Sequence, residues 1–214
     1  MSMYDYITSY KVGGDGIRHG VSCGARGAIQ TRGGGRVRSI ETAGPDDLDE
    51  VLALLNGVAS WLMSRGIRQW AIGFTAEKMA PIIERGELYV VRENGAAIAT
   101  VTVSTDGDAD FWTTEERAEP ARYVAKLATA REYSGQGLGA LLLRWAVDLG
   151  SRQGAQWVRL DAWRTNYQLH DFYRKAGWSH LRTVELEHRR SGALFQHPAV
   201  SDPEARSALP VASQ

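Results

Sequence analysis

The sequence predicts a single α+β domain, with a mixed, mostly antiparallel and twisted sheet of about seven strands flanked by about four helices. Its 214 residues are 43% hydrophobic and 23% charged, the size and composition of one globular domain with a sizeable core. Strand-like and helix-like segments follow each other in the order β-α-α-β-β-β-α-β-α-β-β. Asn94-Gly95, between two strand-like segments, is the dipeptide most typical of a tight hairpin. Such an order indicates a mixed sheet rather than a purely parallel one.

Glycine content and periodicity divide the chain into three parts. Residues 1–36 hold nine of the 23 glycines and show no sustained periodicity, so we expect a mobile N-terminal segment there. The folded domain is expected over residues 37–199. Residues 200–214 are expected to form a flexible C-terminal tail.

The first half of the domain is predicted to contain a strand, two helices and a hairpin. The stretch "VRSIET" fits a strand. Residues 45–66 then carry apolar side chains at helical spacing, with acidic residues near the start and Gly66 at the end. A second helix is predicted over residues 75–85, ended by Gly86. The strands "ELYVVRE" and "AAIATVTVS" form the two arms of the hairpin.

The second half of the domain alternates strands with two further helices. "RYVAKLATA" fits a strand, and a glycine-rich turn after it leads into a helix that begins near Leu138. "QWVRLDAW" fits another strand. "TNYQLHDFYRKAGW" is typical of a helix, with Asn166 as the N-cap and Gly177 as the stop. "HLRTVEL" and "GALFQHPA" predict a closing pair of strands.

Charge and cysteine content limit the functional classes. Lys and Arg together number 25, as do Asp and Glu, so no net field would attract nucleic acid or a membrane surface. The single cysteine, Cys23, excludes an intrachain disulfide and a thiolate metal cluster. The sequence has neither a signal-peptide core nor 18 uninterrupted apolar residues. We therefore expect a soluble cytoplasmic domain with no metal, nucleic-acid or membrane partner.

The stretch "SGQGLGALLLRWA", which begins at Ser134, places three glycines directly before a helix. Glycine suits positions of positive φ, or positions where a ligand approaches the backbone closely. The start of a helix offers unpaired N–H groups and the positive end of its dipole. The stretch therefore predicts a site for an anion such as a phosphate.

One interpretation of this loop is a dinucleotide site. Gly135, Gly137 and Ala140 match the fingerprint G-x-G-x-x-G/A, and Asp161, 24 residues after Gly137, could hold a ribose hydroxyl. Two features argue against it. Residues 131–134 separate the preceding strand from the first glycine, and the chain after Asp161 is too short for further βαβ units.

A second interpretation covers far more of the chain. "LATAREYSGQGLGALLLRWA" followed by "WVRLDAWRTNYQLHDFYRKAGW" resembles the GNAT N-acetyltransferase superfamily in its strand, Q/R-x-x-G-x-G/A turn and helix, and then in its strand and N-x-x-x-x-x-x-Y helix. The resemblance spans about residues 37–199. Ser134 stands where that family usually has Arg or Gln. The resemblance implies a GNAT fold, acetyl-CoA as co-substrate, no metal, an amine acceptor and a possible homodimer.

The resemblance also implies where acetyl-CoA would bind. Its pyrophosphate would lie on backbone N–H groups of the loop and helix start, namely Ser134, Gly135, Gln136, Gly137, Leu138, Gly139 and Ala140. The strand before the loop would hydrogen-bond the pantetheine arm through the backbone of Leu127, Ala128 and Thr129. Plain core-strand and helix-entry roles are the structural alternatives for these residues.

Asn166 and Tyr173 stand at the family's second motif. Asn166 would contact the pantetheine, act as an N-cap, or do both. Tyr173 lies two helical turns further along the same face and would protonate the departing CoA thiolate, unless it is only a core aromatic. A non-catalytic acetyl-CoA-binding domain is the functional alternative, and it would not need Tyr173.

The base that deprotonates the acceptor amine is left open. The candidates are Asp161 at a strand end, His170, which we expect on an exposed helix face, Glu115 or Glu116, and a chain of waters. If the acidic segment 106–119 borders the acceptor, it would favour a cationic amine. A further set of aromatic side chains could line an acceptor pocket or belong to the core: Trp61, Trp70, Phe111 and Trp112.

Overall fold

A seven-stranded sheet in the order β1-β2-β3-β4-β5-β7-β6 organises the chain in the computed structural model, which describes residues 38–211. Neighbouring strands are antiparallel except β4 and β5, which are parallel. The predicted α+β class and mixed sheet are therefore confirmed. The prediction for residues 1–36 lies outside the described residues. The strands are β1 Arg38–Thr42, β2 Leu88–Glu93, β3 Ala96–Ser104, β4 Ala121–Thr129, β5 Trp157–Trp163, β6 Ser179–Thr183 and β7 Ser191–Pro198.

Six α-helices accompany the sheet in the described part of the chain, two more than the sequence predicts. The additional ones are short, and both begin at a side-chain cap, Thr113 for α3 and Asp202 for α6. The predicted hairpin is present, with φ of 55° at Asn94 and 84° at Gly95. The helices are α1 Leu48–Ser64, α2 Ala76–Glu84, α3 Thr114–Ala118, α4 Leu138–Arg152, α5 Tyr167–Lys175 and α6 Pro203–Ala208.

Helices cover both faces of the sheet. In β2, Leu88 and Val90 pack with residues of α1 and α2, whereas Tyr89 and Val91 pack with residues of α4. This alternation follows from the period of two in a strand. Both faces of the central strands are therefore buried, and an opening for a ligand requires strands that separate.

Such a separation occurs between β4 and β5. The two strands pair only over residues 121–123 and 157–159 and then diverge toward their carboxyl ends. In the same stretch β4 is bulged, since Lys126 and Leu127 together oppose Val101 of β3. Lys126 has φ of +48°, an uncommon conformation for a residue with a side chain. The bulge and the divergence open a cleft in the middle of the sheet.

The end of the chain differs from the predicted flexible tail as far as residue 211. Helix α6 packs against α4, and Ala205 and Leu209 are completely buried. The carboxylate of Asp148 in α4 is also buried and accepts hydrogen bonds from Arg152, from Arg206 and from the amide of Asp202. The contacts of Asp148 with Asp202 and Arg206 join residues 54 and 58 positions apart, so local periodicity could not reveal them.

We expect Asp148→Asn to lower the free energy of unfolding by about 2 kcal/mol at pH 7, because it weakens the charge-assisted hydrogen bonds from Arg152 and Arg206. Burial alone would raise the pKa of Asp148, but the bonds from Arg206, Asp202 and Arg152 outweigh it and lower the pKa to about 2, below the ordinary 3.8. A lowered pKa stabilises the fold above pH 3.8, and that stabilisation is lost as the pH falls toward 2.

Denaturant unfolding between pH 2 and pH 7 tests this prediction. The difference between wild type and Asp148→Asn should shrink as the pH falls below 4. Glu204→Gln is the matched control, because Glu204 in α6 also binds an arginine, Arg144, but is 88% exposed. Its effect should stay below about 0.5 kcal/mol. Equal effects of the two substitutions would contradict an anchoring role for Asp148.

Candidate active site

Two adjoining cavities occupy the cleft between β4 and β5. The first, called here the loop-side cavity, has a volume of about 90 Å³ and is bounded by residues 127–129, Ser134 and Asn166. The second, the strand-side cavity, has about 600 Å³ and reaches Asp161 of β5. The walls that both cavities share are formed by Gln69, Trp70, Leu127, Leu169 and Tyr173. The two cavities therefore adjoin along these five residues.

The glycine loop has the backbone that its sequence predicts. Gly135 and Gly137 have φ of +82° and +72°, which side-chain-bearing residues rarely adopt. Gly137 caps α4, and its carbonyl accepts the N–H of Leu141 at 3.0 Å. The first N–H groups of the helix have no intrahelical acceptor and point toward the loop. In front of them the side chain of Gln136 accepts a hydrogen bond from Arg38.

This loop and the strand before it leave backbone and a buried hydroxyl open to a ligand. A Cβ added at Gly137 would meet no atom within 4 Å, so the protein leaves the approach to this backbone open. The hydroxyl of Thr129 is buried at the loop-side cavity and has no hydrogen-bond partner among the described residues. Open backbone donors and a buried hydroxyl in need of a partner suit a polar chain that ends in phosphates.

Helix α5 brings Asn166 and Tyr173 to the same cavity. The side chain of Asn166 accepts the N–H of Leu169 at 3.1 Å, so its predicted N-cap role is confirmed, and the residue also lines the loop-side cavity. Tyr173 packs among aromatic side chains, with its ring centroid 5.2 Å from that of Phe195. Burial raises the pKa of the Tyr173 phenol, and the charge of Asp161 raises it further. The phenol therefore keeps its proton at neutral pH.

Asp161 lies inside β5, opposite Leu194 of β7, and not at a solvated strand end. Burial raises the pKa of its carboxyl, and a hydrogen bond with Ser191 only partly opposes this. Lys126, on the bulge of β4, lines the same cavity. Burial lowers the pKa of the Lys126 ammonium, and the charge of Asp161 opposes that change. The cleft thus holds a carboxyl, an ammonium and a phenol whose ionisation is perturbed, as is typical of functional sites.

Comparison with known families identifies this arrangement. The sequence profile described as "Acetyltransferase (GNAT) family" matches residues 55–178, more than half of the chain. The chain belongs to the GNAT acetyltransferase family. The match contains the glycine loop, Asp161 and Tyr173. It confirms the family and the enzyme class that the two motifs predict.

Individual relatives agree with this assignment. The chain is 29% identical over 142 residues to YesJ of Bacillus subtilis, a protein named as an uncharacterised N-acetyltransferase, and the match covers 64% of this chain and 78% of that protein. A GNAT-family acetyltransferase structure from Listeria monocytogenes matches with a TM-score of 0.65 and 23% identity, over 77% of this chain and 96% of that one. The PaiA N-acetyltransferase of Thermoplasma acidophilum, solved with coenzyme A, matches with a TM-score of 0.60 and 16% identity, over 76% and 99%.

The dinucleotide interpretation does not hold for this GNAT chain. Within residues 38–211, β4 and β5 are the one parallel pair, and β5 is followed by antiparallel strands instead of further βαβ units. Asp161 also lines the strand-side cavity, whereas Ser134, at the start of the glycine loop, lines the loop-side cavity. The fingerprint match therefore describes a turn and not a dinucleotide fold.

Two of the other candidate bases are held in structural contacts. His170 is not on an exposed face, as the sequence predicted, but is 97% buried, with Nε2 2.9 Å from the carbonyl of Trp163. Burial lowers the pKa of its imidazole. The carboxylate of Glu116 binds Arg182, which lowers its pKa to about 2, so this group is a poor base. Glu115 is an exposed residue of the short α3.

Arginines pair with four of the six acidic side chains of segment 106–119, namely Asp108, Asp110, Glu116 and Glu119. Arg189 binds both Asp108 and Asp110, and Arg159 binds Glu119 beneath it. This pairing weakens the argument from the acidic segment for a cationic acceptor. Of the aromatic set, Trp61 and Trp70 line the loop-side cavity, whereas Phe111 and Trp112 are buried in a separate core cluster.

Of the cavity-lining residues that the segment between α1 and α2 contributes, sequence reasoning named Trp70 and missed Arg68. Arg68 and Trp70 line the strand-side cavity, and Trp70 has φ of +62°. Gly66 and Gly73, both at positive φ, bound this segment and were the available signal for a tightly turned loop. Lys126 was missed as well, because no local pattern marks the bulge that turns it toward the cleft.

Proposed function

We propose that this chain transfers an acetyl group from acetyl-CoA to a primary amine of a small molecule or peptide, by direct attack within a ternary complex. The observation that carries the proposal is the shared wall of the two cavities, where Leu127 and Tyr173 face both. A thioester held from the loop side and an amine held from the strand side would meet at that wall. The cytoplasmic location and the homodimer stay predictions from the sequence.

The chain's own groups suit each step of such a transfer. Acetyl-CoA supplies the activated acyl group. Ser134, Gly135, Gln136, Gly137, Leu138, Gly139 and Ala140 would bind its pyrophosphate through backbone N–H groups, while Leu127, Ala128, Thr129 and Asn166 would hold the pantetheine arm. Holding both reactants in contact removes much of the entropic barrier to the reaction.

Proton transfers in the proposed reaction are assigned to Asp161 and Tyr173. The carboxylate of Asp161 would take a proton from the acceptor ammonium, and its raised pKa makes it a stronger base than an exposed aspartate. The free amine forms the C–N bond, the C–S bond breaks, and the Tyr173 phenol gives its proton to the sulfur. Because burial raises the pKa of that phenol, the transfer would come late, once the sulfur carries full negative charge.

Calorimetric titration with acetyl-CoA tests the proposal at its first step. We expect a Kd in the micromolar range for acetyl-CoA. NADH is the control for a site that binds any pyrophosphate, and it should not bind. Thiol release should then require an added amine. Binding without thiol release from any amine would assign the chain to the non-catalytic alternative, and absence of binding would overturn the proposal.

A further inference from the structure

The strand-side cavity carries unbalanced positive charge. Seven ionisable side chains line it, and one of them is an acid: Arg68, Lys126, Asp161, Tyr173, His188, Arg189 and Arg190. Asp161 offsets the charge of Lys126. Asp108 and Asp110 offset that of Arg189, with 2.6 Å between Arg189 Nη1 and Asp110 Oδ2.

Arg68 and Arg190 are left without a carboxylate partner among residues 38–211. Both also line a neighbouring cavity of about 460 Å³ that contains Asn166, so they lie on the side of the cleft away from the Lys126 bulge. They come from different parts of the chain, the loop after α1 and the turn before β7. Two guanidinium groups brought to one opening, each with five N–H donors, suit a carboxylate or phosphate.

The remaining wall of the cavity is apolar. Trp70, Phe74 and Trp163 contribute aromatic surface, and Arg190 lies 6.0 Å from the ring centroid of Trp163. Ile72 is 88% exposed at the same opening, although large apolar residues are normally more covered. An occupant with an apolar body would cover this surface.

We infer that the acceptor is an amine with an apolar body and an anionic group, for which a free amino acid with a large apolar side chain is the simplest case. Its ammonium would face Asp161, its body would lie along Trp70 and Trp163, and its anionic group would face Arg68 and Arg190. This inference rests on the proposed acetyl transfer and specifies its substrate class.

The arrangement balances charge and protons. The acceptor enters as a zwitterion whose positive end meets the single acid and whose negative end meets the unpaired arginines. One proton leaves the ammonium for Asp161, and a second passes from the nitrogen to solvent when the amide forms. The sulfur gains one proton from Tyr173, which regains one from solvent, and Asp161 releases to solvent the proton that it took from the ammonium. The net products are the N-acetyl amino acid, the CoA thiol and one proton.

Matched acceptor series test the inference through thiol release and calorimetry. Each series holds the amino acid, its decarboxylated amine and its aminophosphonate analogue, built on phenylalanine, tryptophan, leucine and methionine. We expect at least one amino acid or aminophosphonate to exceed its bare amine by about 100-fold in kcat/KM, since two charged contacts are lost. Whether the carboxylate or the phosphonate is preferred identifies the anion. The preferred acceptor should also bind calorimetrically to the protein saturated with CoA.

The double variant Arg68→Glu/Arg190→Glu should lower kcat/KM for the preferred acceptor at least about tenfold and leave acetyl-CoA affinity unchanged. Arg174→Glu, at an exposed arginine bound to Asp171, is the control and should change neither. Preference for bare amines, or equal effects of the double variant and the control, would overturn the inference while acetyl transfer stands. No thiol release from any member of the series, although another small-molecule or peptide amine releases thiol, would overturn the inference alone, whereas thiol release from no amine at all would overturn the proposed function with it.

Discussion

Tyr173→Phe should lower kcat by about 10²- to 10³-fold while the Kd of acetyl-CoA changes by less than about twofold. The substitution removes one oxygen and keeps the ring that packs against Phe172, Phe195 and Trp178. The phenol holds its proton because burial raises its pKa, so the group that is lost is a proton donor and not a charge. Steady-state kinetics and calorimetry on the same preparation measure the two quantities.

Two comparisons separate a chemical from a packing role for Tyr173. Phe172→Leu alters the neighbouring core position, is expected to lower stability by about 1 kcal/mol, and should leave kcat within a few-fold. Asp161→Asn should lower kcat and remove the acid limb of the pH–rate profile, which lies above the ordinary pKa of 3.8 because burial raises the pKa of that carboxyl. Tyr173→Phe should keep the limb. Parallel losses of kcat and acetyl-CoA affinity in Tyr173→Phe would indicate packing instead.

Elements set by local chemistry could be predicted from the sequence. The hairpin at Asn94-Gly95, the positive φ of Gly137 and the N-cap at Asn166 each depend on a few adjacent residues, and all three are present. The burial of His170 could not be predicted from adjacent residues in the same way. Its helix is amphipathic, but the face that is covered depends on β7, which packs Phe195 5.5 Å from the imidazole.

The net charge of the cleft was the feature of the site that the sequence predicted least reliably. In the sequence, the acidic run before β4 suggests a surface for cations, but Arg182 and Arg189, 66 and 81 positions away, pair with Glu116 and Asp108 of that run. Arg68 and Arg190, which have no carboxylate partner among residues 38–211, are even farther apart in the sequence. Net charge in a cleft is a sum over distant segments, so it requires the tertiary structure, whereas a turn or a cap does not.

Gly137→Trp should raise the Kd of acetyl-CoA at least about 100-fold while costing the fold only about 1–2 kcal/mol. Two properties of position 137 allow the loss of acetyl-CoA binding to be separated from the loss of stability. Its φ of +72° imposes a modest strain on any side chain, and a Cβ there meets no protein atom within 4 Å. The indole would therefore project into the space in front of the first N–H groups of α4, where the pyrophosphate is proposed to lie.

The opposite end of the same helix offers a matched control. Gly154, just after α4, has φ of +74° and equally open surroundings, so Gly154→Trp should show the same loss of stability and an unchanged Kd. Gly137→Ala shares the strain but lacks the indole, and it should weaken binding far less than Gly137→Trp. If Gly137→Trp binds acetyl-CoA as the wild type does, the pyrophosphate does not lie on this loop. If Gly137→Ala and Gly137→Trp weaken binding equally, the loop acts through its backbone conformation and not through the space that its glycine leaves open.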